Sequence, residues 1–242
     1  IRYGARLSGK INKNWRIGAL QMQTGEQDEL KIRGQNYAVL ALQRKVFSRS
    51  SVSAFVINRQ AFSKDSLDNR IYYGDDYERV IGGEYILSSK DSKWTGKAYY
   101  HHLLQQNNTN NQYSFGSNLT YNTQEITVDW YQETVGKDFD NNNIGFIRRQ
   151  NYTRFYPAIA YNWYPNSKRI LQHGPKISPS VYLSNHNFEN IEHNIEYSYW
   201  LKLINTSYFQ VKLKDQYVQL QRNFDPTGRW KSGEERLLTG SK

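Results

Sequence analysis

Twelve short segments in which apolar and polar residues alternate run through nearly the whole 242-residue chain. In residues 113–122, Tyr113, Phe115 and Leu119 share one parity, and the residues between them are Ser, Gly and Asn. Because successive side chains of a β-strand point to opposite faces, this period of two predicts a strand with one apolar and one polar face. We predict strands at residues 2–11, 15–24, 36–46, 51–60, 79–88, 94–105, 112–122, 125–134, 152–164, 176–185, 193–204 and 207–221, the last divisible at Asp215.

Composition indicates where the apolar faces of these strands would lie. No apolar run approaches the roughly 18 residues of a membrane helix, and alternation alone also fits a soluble β-sandwich. Hydrophobic residues make up 38% of the chain, below the globular norm of about 45–50%, and the mean hydropathy is −0.84. A barrel with a polar lumen needs only one apolar face per strand, and that face can contact lipid. We therefore predict an all-β fold, an antiparallel transmembrane β-barrel with about 12 strands in this chain.

The lengths of the connections support this prediction. Short connections and long loops alternate through the first nine predicted strands, as in barrels with short periplasmic turns and longer outer loops. The short connections are 12–14, 47–50, 89–93 and 123–124, and the long ones are 25–35, 61–78, 106–111 and 135–151. In this arrangement the chain enters its first strand from the cell exterior and leaves its last strand at the cell exterior. Bacterial barrels normally keep both chain ends in the periplasm. We expect residues 1–242 to be one barrel region of a larger barrel, incomplete at both ends.

Aromatic residues stand where an interfacial girdle would require them. Tyr113 and Tyr121 are eight residues apart, which at about 3.4 Å per residue and about 40° tilt spans roughly 20 Å, close to an apolar band of about 25 Å. Strands also favour aromatic residues for reasons unrelated to lipid. The predicted girdle consists of Trp15, Trp94, Tyr113, Tyr121, Trp163 and Tyr164.

The chain carries a formal net charge of +10, with cations and carboxylates spread along the polar faces. We predict a lumen-facing network that stabilises the barrel, made of Arg2, Arg6, Lys10, Glu125, Asp129, Glu196 and Lys202. An anion-selective pore and contact of rim cations with lipopolysaccharide phosphates are the alternatives. Nucleic-acid binding would require clustered cations with stacking aromatics, for which Arg148-Arg149 with Tyr152 is only a faint candidate, so no nucleic-acid partner is expected.

Motifs that carry chemistry are sparse. The chain has no Gly-rich phosphate loop, no Gly-x-Ser-x-Gly elbow and no Cys. His101 and His102 would point to opposite faces of a strand, which disfavours a shared metal. Loop carboxylates could bind Ca²⁺ but are more often solvated charges, and an enzyme at the outer rim would need histidines brought together from different loops. The residues in question are Asp75, Asp76, Asp138 and Asp140 for the first case and His173, His186 and His193 for the second. We predict no catalytic residue, no cofactor and no metal site.

Residues 3–10, 15–24 and 36–60, together with 157–163 and Pro165, resemble the barrel region of Bacteroidetes-type outer-membrane proteins. In those proteins an N-terminal domain like the family-nine carbohydrate-binding module precedes the barrel. The resemblance implies a location in the bacterial outer membrane, contact with lipid and lipopolysaccharide, other envelope proteins as partners, and a carbohydrate ligand bound through a domain absent here. It implies no catalytic residues.

Two functional classes follow from the sequence. The first is a non-enzymatic outer-membrane β-barrel that acts as an anchor, a solute channel or a subunit of an envelope assembly. The second is a soluble all-β carbohydrate-binding module with exposed aromatic platforms. The two differ in where the aromatic residues lie, because a barrel bands them at strand ends and a module clusters them on one patch.

Overall fold

The computed structural model describes residues 1–27, 29, 33–62, 77–106, 109–141, 144–145 and 147–219. Every regular element in these ranges is a β-strand. No helix within them has the length and apolarity needed to cross a membrane.

Thirteen strands form one antiparallel sheet. They are β1 (Tyr3–Lys10), β2 (Trp15–Gln23), β3 (Gly34–Val46), β4 (Ser50–Phe62), β5 (Tyr77–Ser88), β6 (Trp94–Gln105), β7 (Tyr113–Asn122), β8 (Ile126–Val135), β9 (Tyr152–Phe155), β10 (Ala158–Tyr161), β11 (Ile170–Ser184), β12 (Asn190–Leu203) and β13 (Tyr208–Val218). The predicted all-β antiparallel class is confirmed. The barrel and its place in a membrane stay predictions.

One predicted strand, 152–164, is divided into the short strands β9 and β10. Pro157 lies in the break and has no N–H to donate to a neighbouring strand. Both β9 and β10 pair with β8 and with β11, so together they occupy a single position in the sheet. The thirteen strands therefore fill twelve positions, which agrees with the twelve segments read from the sequence.

Several strand ends differ from the sequence prediction by a few residues, and two differences change a strand more substantially. β11 begins at Ile170, where we predicted residue 176, because pairing with β12 carries the strand through Gly174 and Pro175. The last strand is undivided, since Asp215 lies within β13 opposite Ile195. Its predicted end at residue 221 lies outside the described residues.

The chain divides into two compact units, and unit 1 consists of Ile1–Thr120 and Glu133–Tyr152. Its strand register places Val39, Ile57 and Val80 in one row across neighbouring strands. That row belongs to the buried side of the sheet, where Val80 is 3% exposed. We call this side the inner face of unit 1 and the opposite side its outer face.

Unit 2 consists of Tyr121–Gln132 and the described part of Thr153–Lys242. Here Ser178, Glu196 and Lys214 form one row across β11, β12 and β13, and Ser178 is buried. Residues one place along each strand, such as Tyr197 and Leu213, point to the opposite side. We call the two sides the inner and outer faces of unit 2.

Candidate functional site

The outer face of unit 1 is apolar and exposed. Leu40, Val56 and Ile81 lie side by side across β3, β4 and β5, and Leu40 remains 54% exposed. The other large exposed apolar residues of this face are Leu7, Leu42, Val52, Tyr100, Phe115 and Leu119. Single exposed apolar residues are ordinary on a protein surface, but a contiguous group of this size marks a candidate contact surface.

Polar residues on this outer face gather toward the strand ends. Asn58 and Gln60 follow the apolar stretch of β4, and the Arg79 guanidinium donates to Asn58 Oδ1 at 2.8 Å and to Gln60 Oε1 at 3.3 Å. At the other end, Arg44 lies 5.3 Å from the centre of the Trp15 ring. The apolar residues therefore form a band with hydrogen-bonded polar groups beside it.

The inner face of unit 1 contains buried charge. Arg59 and Glu78 are opposite each other in β4 and β5 and are 5% and 0% exposed. Arg59 Nη1 donates to Gln35 Oε1 at 3.2 Å. Because an ionised group without polar partners is costly to bury, such residues require a hydrogen-bonded surrounding, which this face supplies.

A second polar group of the inner face lies on β5 and β6. Lys97 Nζ contacts Glu84 Oε1 at 2.8 Å, and His101 Nε2 lies 3.4 Å from the same oxygen. The His101 ring packs edge to face against Phe55, with ring centres 5.2 Å apart. Gly82 makes this packing possible, since a Cβ there would lie 2.4 Å from the Phe55 ring and 2.7 Å from that of His101.

Unit 2 repeats the distribution of unit 1. Tyr197 and Leu213 are 50% and 68% exposed on its outer face, and the inner-face serines Ser178, Ser180 and Ser198 are buried. The other large exposed apolar residues on this outer face include Val128, Trp130, Ile159, Tyr199, Phe209 and Val211. Each unit thus exposes large apolar side chains on its outer face and buries polar side chains on its inner face.

An aromatic cluster around Arg154 occupies the inner face of unit 2. The guanidinium carbon lies 5.6, 5.0 and 4.9 Å from the ring centres of Tyr131, Tyr156 and Tyr182. Arg154 Nε donates to Ser180 Oγ at 3.2 Å. Sequence reasoning missed this cluster because its members come from three strands, β8, β9 and β11, and from the break after β9, and only the common parity of Arg154 and Tyr156 was visible in the sequence.

The residues of the predicted charge network fall into both units. Arg2, Arg6 and Lys10 belong to unit 1, with Arg6 and Lys10 in β1 and Arg2 just before it. In unit 2, Glu125 lies in the turn before β8, Asp129 lies in β8, and Glu196 and Lys202 lie in β12. Glu196 contacts Lys212 Nζ at 3.2 Å and Lys214 Nζ at 3.3 Å, both from β13. Lys202 is instead opposite Gln172 and Tyr208.

The predicted girdle residues lie at or near strand ends. Trp15 and Trp94 open β2 and β6 after short turns, and Tyr113 opens β7 at the opposite edge of unit 1. Asn12 Oδ1 accepts hydrogen bonds from the backbone N of Asn14 and of Trp15, at 2.8 and 3.0 Å, which shapes the turn that presents Trp15.

In unit 2, the remaining girdle residues lie near the turn between β7 and β8. Tyr121 is the penultimate residue of β7, and Tyr164 Oη donates to the Gln124 carbonyl at 3.1 Å. Trp163 forms an isolated bridge with His173. Sequence reasoning missed Phe47, which is 87% exposed in the turn after β3. Its φ of 53° lies in the left-handed region, and nothing in one sequence indicates that an aromatic residue adopts this backbone conformation.

Among the described residues, no group of three or more His, Asp or Glu could hold a metal ion. His101 and His102 point to opposite faces, since they are opposite Gly82 and Ile81. Asp138 accepts a hydrogen bond from Thr109 Oγ1. Asp75 and Asp76 lie outside the described residues.

The histidines considered for an enzymatic rim have separate neighbours. His173 Nδ1 is 2.6 Å from Tyr199 Oη, and His193 Nε2 is 3.5 Å from Asp215 Oδ2. His186 lies in the turn between β11 and β12.

Comparison with known proteins adds a family. No curated protein and no solved structure is significantly similar to the chain. The family described as "Domain of unknown function (DUF5916)" matches residues 8–234, nearly all of the 242 residues. The chain belongs to this DUF5916 family.

Proposed function

We propose that this chain is the membrane-spanning region of a bacterial outer-membrane β-barrel, with the outer faces of both units against lipid and the inner faces toward a polar interior. The observation that carries the proposal is the distribution of polarity, in which large apolar side chains are exposed on the outer faces, whereas the inner faces bury Arg59 and Glu78 in unit 1 and several serines in unit 2. Because the family is described only as a domain of unknown function, membership adds no activity to the proposal.

The energetics of the outer faces favour contact with lipid. Moving one side chain such as Leu40, Val56 or Leu213 out of water is worth about 1.5–3 kcal/mol when burial is complete. Many such residues share each outer face, so leaving both faces in water forgoes a large stabilisation. Contact with acyl chains provides this burial without requiring a second protein layer.

Strand lengths also support a transmembrane role. A tilted strand needs about 9–11 residues to cross a bilayer. β7 and β8 have 10 residues each, and β3 and β4 have 13 each. The hydrogen-bonded polar ends of the outer face of unit 1 would then lie at the level of the lipid headgroups.

The role we propose is non-enzymatic, as an anchor or solute channel or as a subunit of an envelope assembly. The inner faces support it because several of their charges are paired, as in the contacts of Glu84 with Lys97 and of Glu196 with Lys212 and Lys214. Lipid and lipopolysaccharide are the partners that the outer faces and their aromatic ends would contact.

The test is fractionation of the native protein, followed by gel electrophoresis of heated and unheated detergent extracts. We expect the protein in the outer-membrane fraction, released only by detergent, with a faster band in the unheated sample because a closed sheet resists the denaturing detergent. A urea-unfolded sample serves as the control and should run with the heated band. Release into the soluble fraction with no heat-dependent shift would overturn the proposal and favour a soluble carbohydrate-binding module.

A further inference from the structure

A group of five cations surrounds a cavity of about 280 Å³ in unit 1, beside the turns that follow β1 and β3. We call it the basic cluster, and it consists of Lys10, Lys13, Arg16, Lys45 and Arg49. The cavity is also lined by Asn12, Asn14, Gln43, Ser50 and Ser51, so its remaining polar groups are amides and hydroxyls.

Strand register places like charges next to each other in the basic cluster. Lys10 is directly opposite Arg16, and Arg16 is opposite Gln43. Lys45 has the same parity as Gln43 on β3 and therefore shares its face, and its backbone N donates to the Asn14 carbonyl at 2.7 Å. Like charges directly opposite each other destabilise a strand pair, so the arrangement carries a cost that a bound anion would relieve.

No carboxylate lines the cavity. Within the described part of the chain, none of the five cations forms an ion pair. Glu84 shares the inner face but is already engaged by Lys97 at 2.8 Å. Arg49 contacts the hydroxyl of Ser92, which is neutral. The positive charge of the cluster is therefore not compensated by protein carboxylates.

We propose that the basic cluster is a binding site for a soluble anion that carries several phosphate groups. Arginine binds phosphate oxygens with paired N–H donors, and lysine contributes a compact charge. The amides and hydroxyls in the lining can donate to the remaining oxygens. The site depends on the register of β1, β2 and β3, so it stands whether or not the outer faces contact lipid.

The experiment is calorimetric titration of the full chain in nonionic detergent with inorganic tripolyphosphate. We expect saturable binding that weakens as salt is added and exceeds binding of orthophosphate. The double variant Lys10→Gln/Arg16→Gln should weaken binding by about tenfold or more, since it removes two charged donors. The matched control, Lys137→Gln/Lys168→Gln, removes two exposed loop cations from elsewhere and should leave the affinity within about twofold.

A second variant, Gln43→Glu, places a carboxylate opposite Arg16 and removes no cation. It should abolish most of the binding and also raise the midpoint of urea unfolding, because it compensates the clustered charge. If the cluster variant and the control variant lose the same affinity for tripolyphosphate, the anion is attracted by net charge alone and the proposal is overturned. Binding of phosphatidate micelles without binding of tripolyphosphate would likewise overturn the assignment to a soluble anion.

Discussion

At the scale of single residues, Gly174 shows how closely two backbones approach in unit 2. A Cβ at this position would lie 1.7 Å from the Tyr161 carbonyl oxygen. A backbone carbonyl cannot rotate aside as a side chain can, so any other residue must push β11 away from its neighbour. Gly18 in β2 differs, since nothing lies within 4 Å of a Cβ built there.

We predict that Gly174→Ala lowers the free energy of unfolding by about 1–3 kcal/mol, the usual cost of inserting a methyl group where no space exists. The matched control Gly18→Ala should change it by no more than about 1 kcal/mol, in the stabilising direction. Urea unfolding followed by tryptophan fluorescence measures both. Equal effects of the two substitutions would contradict the close approach at Gly174.

Asp91 in the turn between β5 and β6 has a pKa held below its ordinary value of 3.8. Ser89 Oγ donates to its Oδ1 at 2.6 Å, and the backbone N of Lys93 donates to the same oxygen at 3.1 Å. Both bonds favour the ionised carboxyl group, so their contribution to stability is complete above the ordinary pKa and is lost as pH falls through the lowered pKa.

We therefore predict that Ser89→Ala raises the pKa of Asp91 toward its ordinary value, because it removes the largest cause of the shift. Carboxyl ¹³C NMR during an acid titration measures this pKa directly. Ser48→Ala, in the turn after β3, is the control and should leave it unchanged. A pKa that does not respond to Ser89→Ala would show that the hydroxyl does not hold the carboxylate in solution.

At the scale of strands, the outer face of β4 gives the sharpest distinction between lipid and water. Val56 is 43% exposed, so arginine at this position would cost little in a water-soluble sheet. At the middle of a bilayer the same change costs about 2–4 kcal/mol. We predict that Val56→Arg destabilises the protein folded in phospholipid vesicles by about this amount, as measured by urea unfolding.

The control for this change is Gln210→Arg, at an exposed position on the inner face of β13 opposite Trp200. It introduces the same side chain without placing it against lipid and should alter stability by less than about 1 kcal/mol. If Val56→Arg is as well tolerated as Gln210→Arg, the outer face of β4 does not contact acyl chains.

The strands were predictable because their alternation is local and records which face each residue occupies. Residues 113–122, for example, contain the whole of β7. The division at Pro157 was less visible, since a proline inside a predicted strand does not by itself show whether the strand is interrupted. The extension of β11 to Ile170 depends on pairing with β12, which is not local.

Contacts between strands could not be predicted in the same way. Glu196 was expected in a charge network, but its partners Lys212 and Lys214 follow from the register of β12 against β13. A shift of one residue would move every side chain of β13 to the other face. The Arg154 cluster and the basic cluster also depend on register, so neither was visible in the sequence.

At the scale of the whole molecule, the same distribution of polarity occurs in unit 1 and in unit 2. Each exposes large apolar side chains on its outer face and buries polar side chains on its inner face. The apolar surrounding that we propose for the outer faces would account for the distribution in both units. The outer faces are therefore the surfaces on which the proposed function depends.

The most direct test is spin-label accessibility in phospholipid vesicles, for which the chain is suited because it contains no Cys. Single cysteines would replace each residue of 52–57 in β4 and of 195–200 in β12, one series for each unit. We predict that oxygen, which concentrates in lipid, relaxes labels at Val52, Ala54 and Val56 in the first series and at Ile195, Tyr197 and Tyr199 in the second. A water-soluble nickel reagent should relax the labels at these outer-face positions less than the labels at the residues between them. Equal access of both reagents along each strand, or nickel favouring the outer-face positions, would contradict the membrane-spanning account.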